Sequence, residues 1–187
     1  MPFFEPLPPR VDHQPVPSAP VPPWVRPPAE EIPHPVPAAQ VLAKVEGAAI
    51  ILRRIDVYRD GIAFVLRVLV ALDENQPVPK ARPGQGPDHL RLGVTLADGT
   101  TATTPYGFVP HSDAPPVRSL VFSGGGGGRS TNQWMTELEV WLWPLPPSGP
   151  LTLHFESELL GIPEGSTVVE LPSLEKLAAS VIDAAVS

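Results

Sequence analysis

Ile62, Phe64, Leu66, Val68, Val70 and Leu72 recur at every second position of one apolar segment. A period of two places all six on one face of a strand, which a helix cannot do. Arg67 and Asp73 fall on the opposite face. Just upstream, residues 46–58 read EGAAIILRRIDVY and also suit a strand, with Ala49, Ile51, Ile55 and Val57 on one face. Arg59-Asp60-Gly61 between the two is a hairpin signal. This pair is the best-patterned part of the chain and is expected near the centre of a sheet.

The same period returns downstream. Leu90, Leu92, Val94 and Leu96 alternate, and Asp98-Gly99 turns into a threonine-rich segment, Thr100–Thr104, with the composition of an edge strand. Residues 119–122, SLVF, form a strand that the five glycines Gly124, Gly125, Gly126, Gly127 and Gly128 are expected to stop, as a hinge or bulge. Over Gln133–Trp143, Trp134, Thr136, Leu138, Val140 and Leu142 share one face. Met135, Glu137, Glu139, Trp141 and Trp143 share the other. A Pro/Gly corner follows, then Leu151, Leu153 and Phe155 inward with Thr152, His154 and Glu156 outward. Ile162–Gly165 reads as a turn and STVVEL as a last strand. Ser173 is placed to cap a carboxy-terminal helix over 173–186, with Leu174, Leu177, Ala178, Val181, Ile182 and Ala185 at helical spacing. Many short strands and one helix predict a mainly β fold, a two-sheet antiparallel β-sandwich of immunoglobulin-like build. The helix would dock over an open edge or end.

Proline divides the chain. Of 28 prolines, 14 lie in residues 1–40. That segment is read as an extended, proline-rich arm, and 41–187 as the sandwich domain. PxxP spacings such as Pro6 to Pro9, followed by Arg10, suit a ligand for proline-recognition domains, although such spacings are inevitable at this density. Trp24, in VPPWVRPP, suits an anchor that lays the arm over its own domain.

Net charge is −7, and no Lys/Arg cluster offers a footprint for nucleic acid. Cysteine is absent, which removes disulfides, thiol nucleophiles and cysteine-bound metals. No basic start followed by an apolar core marks a signal peptide, and the longest apolar run is too short to span a bilayer. A cytoplasmic protein with no cofactor and no membrane contact is the expectation.

The glycine run fails as a phosphate loop. Ser123 stands where the first glycine belongs, Arg129 replaces the lysine, and a strand pattern follows where a helix is required. A weaker possibility is an anion nest of Gly124 to Gly128 with Arg129 beside it. His13, His34, His89, His111 and His154 show no metal-ligand spacing, and His111-Ser112-Asp113 are consecutive and cannot form a triad alone. Glu137 and Glu139 lie roughly 6–7 Å apart along one strand face. With Trp141 and Trp143 beside them they suggest either a sugar-binding face or a face covered by protein.

One further signal is a resemblance. SLVFSGGGGGRSTNQWMTELEVWLWPLPPSGPLTLHFESELLGIPE, the hairpin around Val57-Tyr58-Arg59-Asp60-Gly61-Ile62-Ala63-Phe64, LRLGVTLADGT and PPWVRPP occur in an order that resembles a family of actinobacterial proteins of uncharacterised role. Those proteins carry a glycine run followed by a VWPLPP-like corner and a GPLTF-like strand. The resemblance spans roughly residues 20–184 and implies a shared architecture, with no functional residue to carry across. Members often have tryptophan near the GPLTF strand, where this chain reads Glu156-Ser157-Glu158. The expected role is a non-enzymatic interaction or structural module. It would use Glu137, Glu139, Trp141, Trp143 and the arm, with protein, including its own copies, as partner. Carbohydrate binding is the alternative.

Overall fold

The computed structural model describes residues 21–72, 90–105 and 114–185. Its elements are β1 (Glu31–Ile32), β2 (His34–Val45), β3 (Ala48–Val57), β4 (Ile62–Ala71), β5 (Arg91–Thr95), β6 (Thr101–Thr103), β7 (Ser119–Arg129), β8 (Gln133–Trp143), β9 (Gly149–Ser157), β10 (Ile162–Leu171), α1 (Leu174–Ala178) and β11 (Ile182–Asp183). One sheet runs β2-β3-β4-β8-β7 and a second β10-β9-β5-β6. All pairings within them are antiparallel. β2 meets β10 at one seam and β6 meets β7 at the other, so the sheets stack as a sandwich.

β4 is central, as its pattern demands. Its Ile62, Phe64 and Leu66 are fully buried between β3 and β8. β8 also keeps its expected inward face, Trp134 to Leu142. β3 does not. Leu52 pairs with Leu66 and Arg54 with Val65, which leaves Arg53 as the extra residue of a β-bulge. The bulge switches the parity of the strand. Ile50 and Leu52 point inward before it and Ile55 and Val57 after it, while Ala49 and Ile51 are only half-buried.

The sheet reaches into the proline-rich segment. β2 begins at His34, so the boundary between residues 40 and 41 falls inside a strand. An edge strand tolerates Pro35 and Pro37 because half of its N–H groups need no partner in the ladder. The glycine run is likewise strand. β7 continues through Gly124–Gly128 to Arg129, paired throughout with β8, and the only shift lies between Phe122 and Gly124. A tight hairpin closes this pair, with the Ser130 N–H donating to the Gln133 carbonyl at 2.8 Å.

The chain end also differs from its periodicity. The turn sits at Glu158–Gly161, where Gly161 has φ +62°, and β10 absorbs Ile162–Gly165 with a local shift of register. The helix expected over 173–186 ends at Ala178. Both the N–H and the hydroxyl of Ser180 donate to the Leu177 carbonyl, tightening the last turn, and Ile182 then pairs with Ile32. Ser173 makes no side-chain cap. Ser148 of the corner does so instead, accepting the Leu174 N–H at 2.8 Å.

Outside the described residues lie Phe3, Phe4, Pro6, Pro9, Arg10, His13, His89, His111, Ser112 and Asp113. Among the described residues, no helix is long and apolar enough to cross a membrane.

Candidate functional site

The outer face of the larger sheet brings together the residues that sequence alone singled out. It falls into two parts. The aromatic part is built on Trp141, which is 0% exposed although it points away from the sandwich core. Tyr58 meets its ring edge-on, with centroids 5.3 Å apart. Ala63 and Val121 complete the seat. Gly61 is required here: a Cβ at that position would stand 2.5 Å from both the Trp141 ring and the Leu142 carbonyl.

The arm closes this seat from above. Val25 N–H donates to the Pro22 carbonyl at 3.1 Å, a β-turn with Pro23 at its favoured second position. Residues 22–25 are therefore a turn rather than polyproline helix. The turn offers its Pro23 carbonyl to the indole N–H of Trp141 at 2.8 Å. It also sets Trp24 against Trp143, with ring centroids 5.9 Å apart. Burying an indole N–H without an acceptor is costly, so the carbonyl satisfies a real demand. Further along, the arm is latched. Glu31 pairs with Asp183 and Ile32 with Ile182, and the Ala184 N–H donates to the Glu30 carbonyl at 2.7 Å. Arg59 at the hairpin tip reaches Glu31 and Asp183, each at 3.5 Å. Burial raises the Tyr58 hydroxyl to a pKa of about 12, with nearby Glu139 adding to the shift.

The second part is polar. One oxygen of Glu137 accepts from both Arg67 and Arg53 at 2.5 Å. The bulge at Arg53 makes that possible by turning its side chain toward β8. Hydrogen bonds from Arg67 and then Arg53 hold the Glu137 carboxyl below its usual range. Glu139 accepts the Ser123 hydroxyl at 2.7 Å. A carboxyl kept ionised by two guanidiniums is unsuited to the proton-donor role that sugar cleavage needs.

A consequence in pH follows. A carboxyl whose folded pKa lies below its unfolded value of 4.5 adds stability above that value and loses it as pH falls through the folded pKa. Glu137→Gln should therefore lower the urea midpoint at neutral pH by the equivalent of about 1 kcal/mol or less, given its exposure. The gap between variant and wild type should close in acid. Parallel urea titrations across the acid range check both points.

Gly124 to Gly128 and Arg129 lie at the edge of this polar part. None of the five glycines has positive φ. Successive N–H groups of an extended strand point to opposite edges, so they do not converge on an anion as a nest requires. Their reason for being glycine alternates instead. A Cβ at Gly125 or Gly127 would stand 2.8 or 2.5 Å from a carbonyl of β8, whereas at Gly126 or Gly128 it would meet nothing within 4 Å. Among the described residues, no group of three or more His, Asp or Glu is arranged to hold a metal ion.

Tyr58, Gly61, Arg53, Val121 and Pro23 complete the site, and the sequence pattern assigned none of them to it. Only the Pro-Pro-Trp turn could have been found in advance, since its composition is that of a β-turn with an aromatic at the tip. The class that results is a two-sheet antiparallel β-sandwich whose outer aromatic seat is filled by its own amino-terminal turn. No family model, no curated protein and no solved structure matches the chain.

Proposed function

We propose that the chain is a non-enzymatic protein-interaction module, immunoglobulin-like in build, that recognises a Pro-Pro-Trp turn on the outer face of its larger sheet. The occupant is its own arm in the isolated molecule and the same segment of another copy, or of a protein with like sequence, in an assembly. One observation carries this reading: the Trp141 indole N–H is donated to a carbonyl of the Pro23 turn. The seat reads a main-chain group in a proline-fixed conformation, while Trp24 on Trp143 supplies aromatic contact. Preformed turns of this kind lose little entropy on binding. Sugar stacking on the same face is not favoured, because Trp141 has no exposed surface to offer. The cysteine-free composition supports a cytoplasmic setting, and the ordered motifs support kinship with the actinobacterial proteins they resemble.

The test is a labelled VPPWVRPP peptide titrated by fluorescence anisotropy against the full chain and its Trp24→Ala variant. Trp24→Ala weakens the arm's hold and opens the seat, so it should bind the peptide about tenfold more tightly than wild type, whose seat is filled in cis. Failure of the peptide to bind either protein would refute the reading.

A further inference from the structure

β1 and β11 pair over two residues and form a sheet of their own. A two-stranded ribbon is marginal in water even at greater length. This one also has a charge against it. Glu31 lies directly opposite Asp183. The Ala184 N–H bonds the Glu30 carbonyl, so the next pair is of the non-hydrogen-bonded kind, in which side chains stand closest. Like charges placed in this way oppose the pairing. The Glu31 side chain is only 7% exposed, so water does little to offset its charge.

A single cation corrects this. The same Arg59 nitrogen lies 3.5 Å from Glu31 Oε1 and 3.5 Å from Asp183 Oδ2. The Arg59 backbone N–H donates to the other Glu31 oxygen at 3.1 Å. Among the described residues, no second cation pairs with either carboxylate. The sequence neighbours Glu30 and Asp60, both exposed, add negative charge and do not relieve it. Arg59 also belongs to the turn that walls the aromatic seat. The Tyr58 N–H donates to the Gly61 carbonyl at 2.9 Å, and these two residues flank Arg59 and Asp60. Tyr58 packs on Trp141, and Gly61 admits its ring. One turn thus meets the arm's seat with its ends and the arm's fastening with its tip. Only residues 26–30 separate the two points along the arm, so fastening one end keeps the other close to its seat.

We propose that Arg59 is the pin of a charge-operated clasp. With its charge present and unscreened the arm is fastened over its seat; with that charge removed or screened, β1 leaves β11 and the arm lifts. That the lifted arm uncovers a recognition seat rests on the function proposed above, whereas the clasp itself does not. The experiment is hydrogen exchange followed by NMR on the full chain. The Ala184 amide reports the ribbon and the Trp141 indole N–H reports the arm. Arg59→Gln should speed exchange about tenfold at Ala184 and about threefold at the indole, with the amides of β4 unchanged. Adding Asp183→Asn removes the opposed charge while keeping an oxygen for the Ala185 N–H, and should restore most of the protection. Salt separates charge from shape. The screening length falls from about 10 Å at 0.1 M to about 3 Å at 1 M. Added salt should therefore speed both sites in wild type but slow Ala184 in Arg59→Gln, where repulsion alone is left to screen. Neither readout uses a peptide, so their failure and a failure of the peptide to bind are separate results. The proposal is overturned if Arg59→Gln leaves Ala184 protected, if the indole does not follow Ala184, or if salt acts in the same direction on both proteins. Should Arg59→Gln not fold, a wild-type Ala184 amide indifferent to salt overturns it equally.

Discussion

Trp141→Ala is expected to cost about 3–5 kcal/mol of folding stability, the range for deleting a fully buried indole. Its side chain lies on the outer face, where a tryptophan is ordinarily exposed and its loss nearly free. Three partners lose their contact at once: Tyr58, which packs edge-on; the Pro23 carbonyl, which accepts its N–H; and Gly61, shaped to admit the ring. The arm should be released with it. Urea unfolding measures the loss, and limited proteolysis near Pro22–Pro28 measures the release. Trp24→Ala should cost much less, because it removes the cover and leaves the seat intact. Equal losses for the two variants would show that the seat is not what holds the arm.

The second large effect lies in the glycine strand, where alanine should act in opposite directions at alternate positions. At Gly127 the new Cβ would be forced to 2.5 Å from the Met135 carbonyl and at Gly125 to 2.8 Å from the Glu137 carbonyl. Those are backbone atoms of a paired strand and cannot swing aside, so each substitution should destabilise by about 1–3 kcal/mol. At Gly126 and Gly128 nothing lies within 4 Å. There the narrower unfolded ensemble of alanine should stabilise by about 0.4–1 kcal/mol. Thermal midpoints of the four single variants decide it. A uniform response at all four positions would mean that the run is not paired with β8 in this register.

Alternation made β4 and β8 legible, because a period of two with bulky inward residues has only one structural reading. It failed in β3, where Arg53 adds one residue and no local signal in LRRI marks the bulge. Composition misled in two places and periodicity in a third. Proline at 35 and 37 reads as an arm, yet an edge strand accepts it. Five glycines read as a break, yet close approach to β8 at Gly125 and Gly127 asks for glycine while the strand stays paired. The helical spacing beyond Ser173 persists past Ala178, but pairing of β11 with β1 prevails over it. The site was legible only as a list of odd residues on one face. What joins them, an indole meeting a carbonyl more than a hundred residues upstream, is a tertiary contact that no local pattern contains.

Among the described residues, the pairing of β1 with β11 joins the first strand to the last. During synthesis the turn at residues 22–25 is made well before Ile182 and Asp183, which latch the arm. For that whole interval the latch has no counterpart, and once β8 is made the aromatic seat can be filled but not locked.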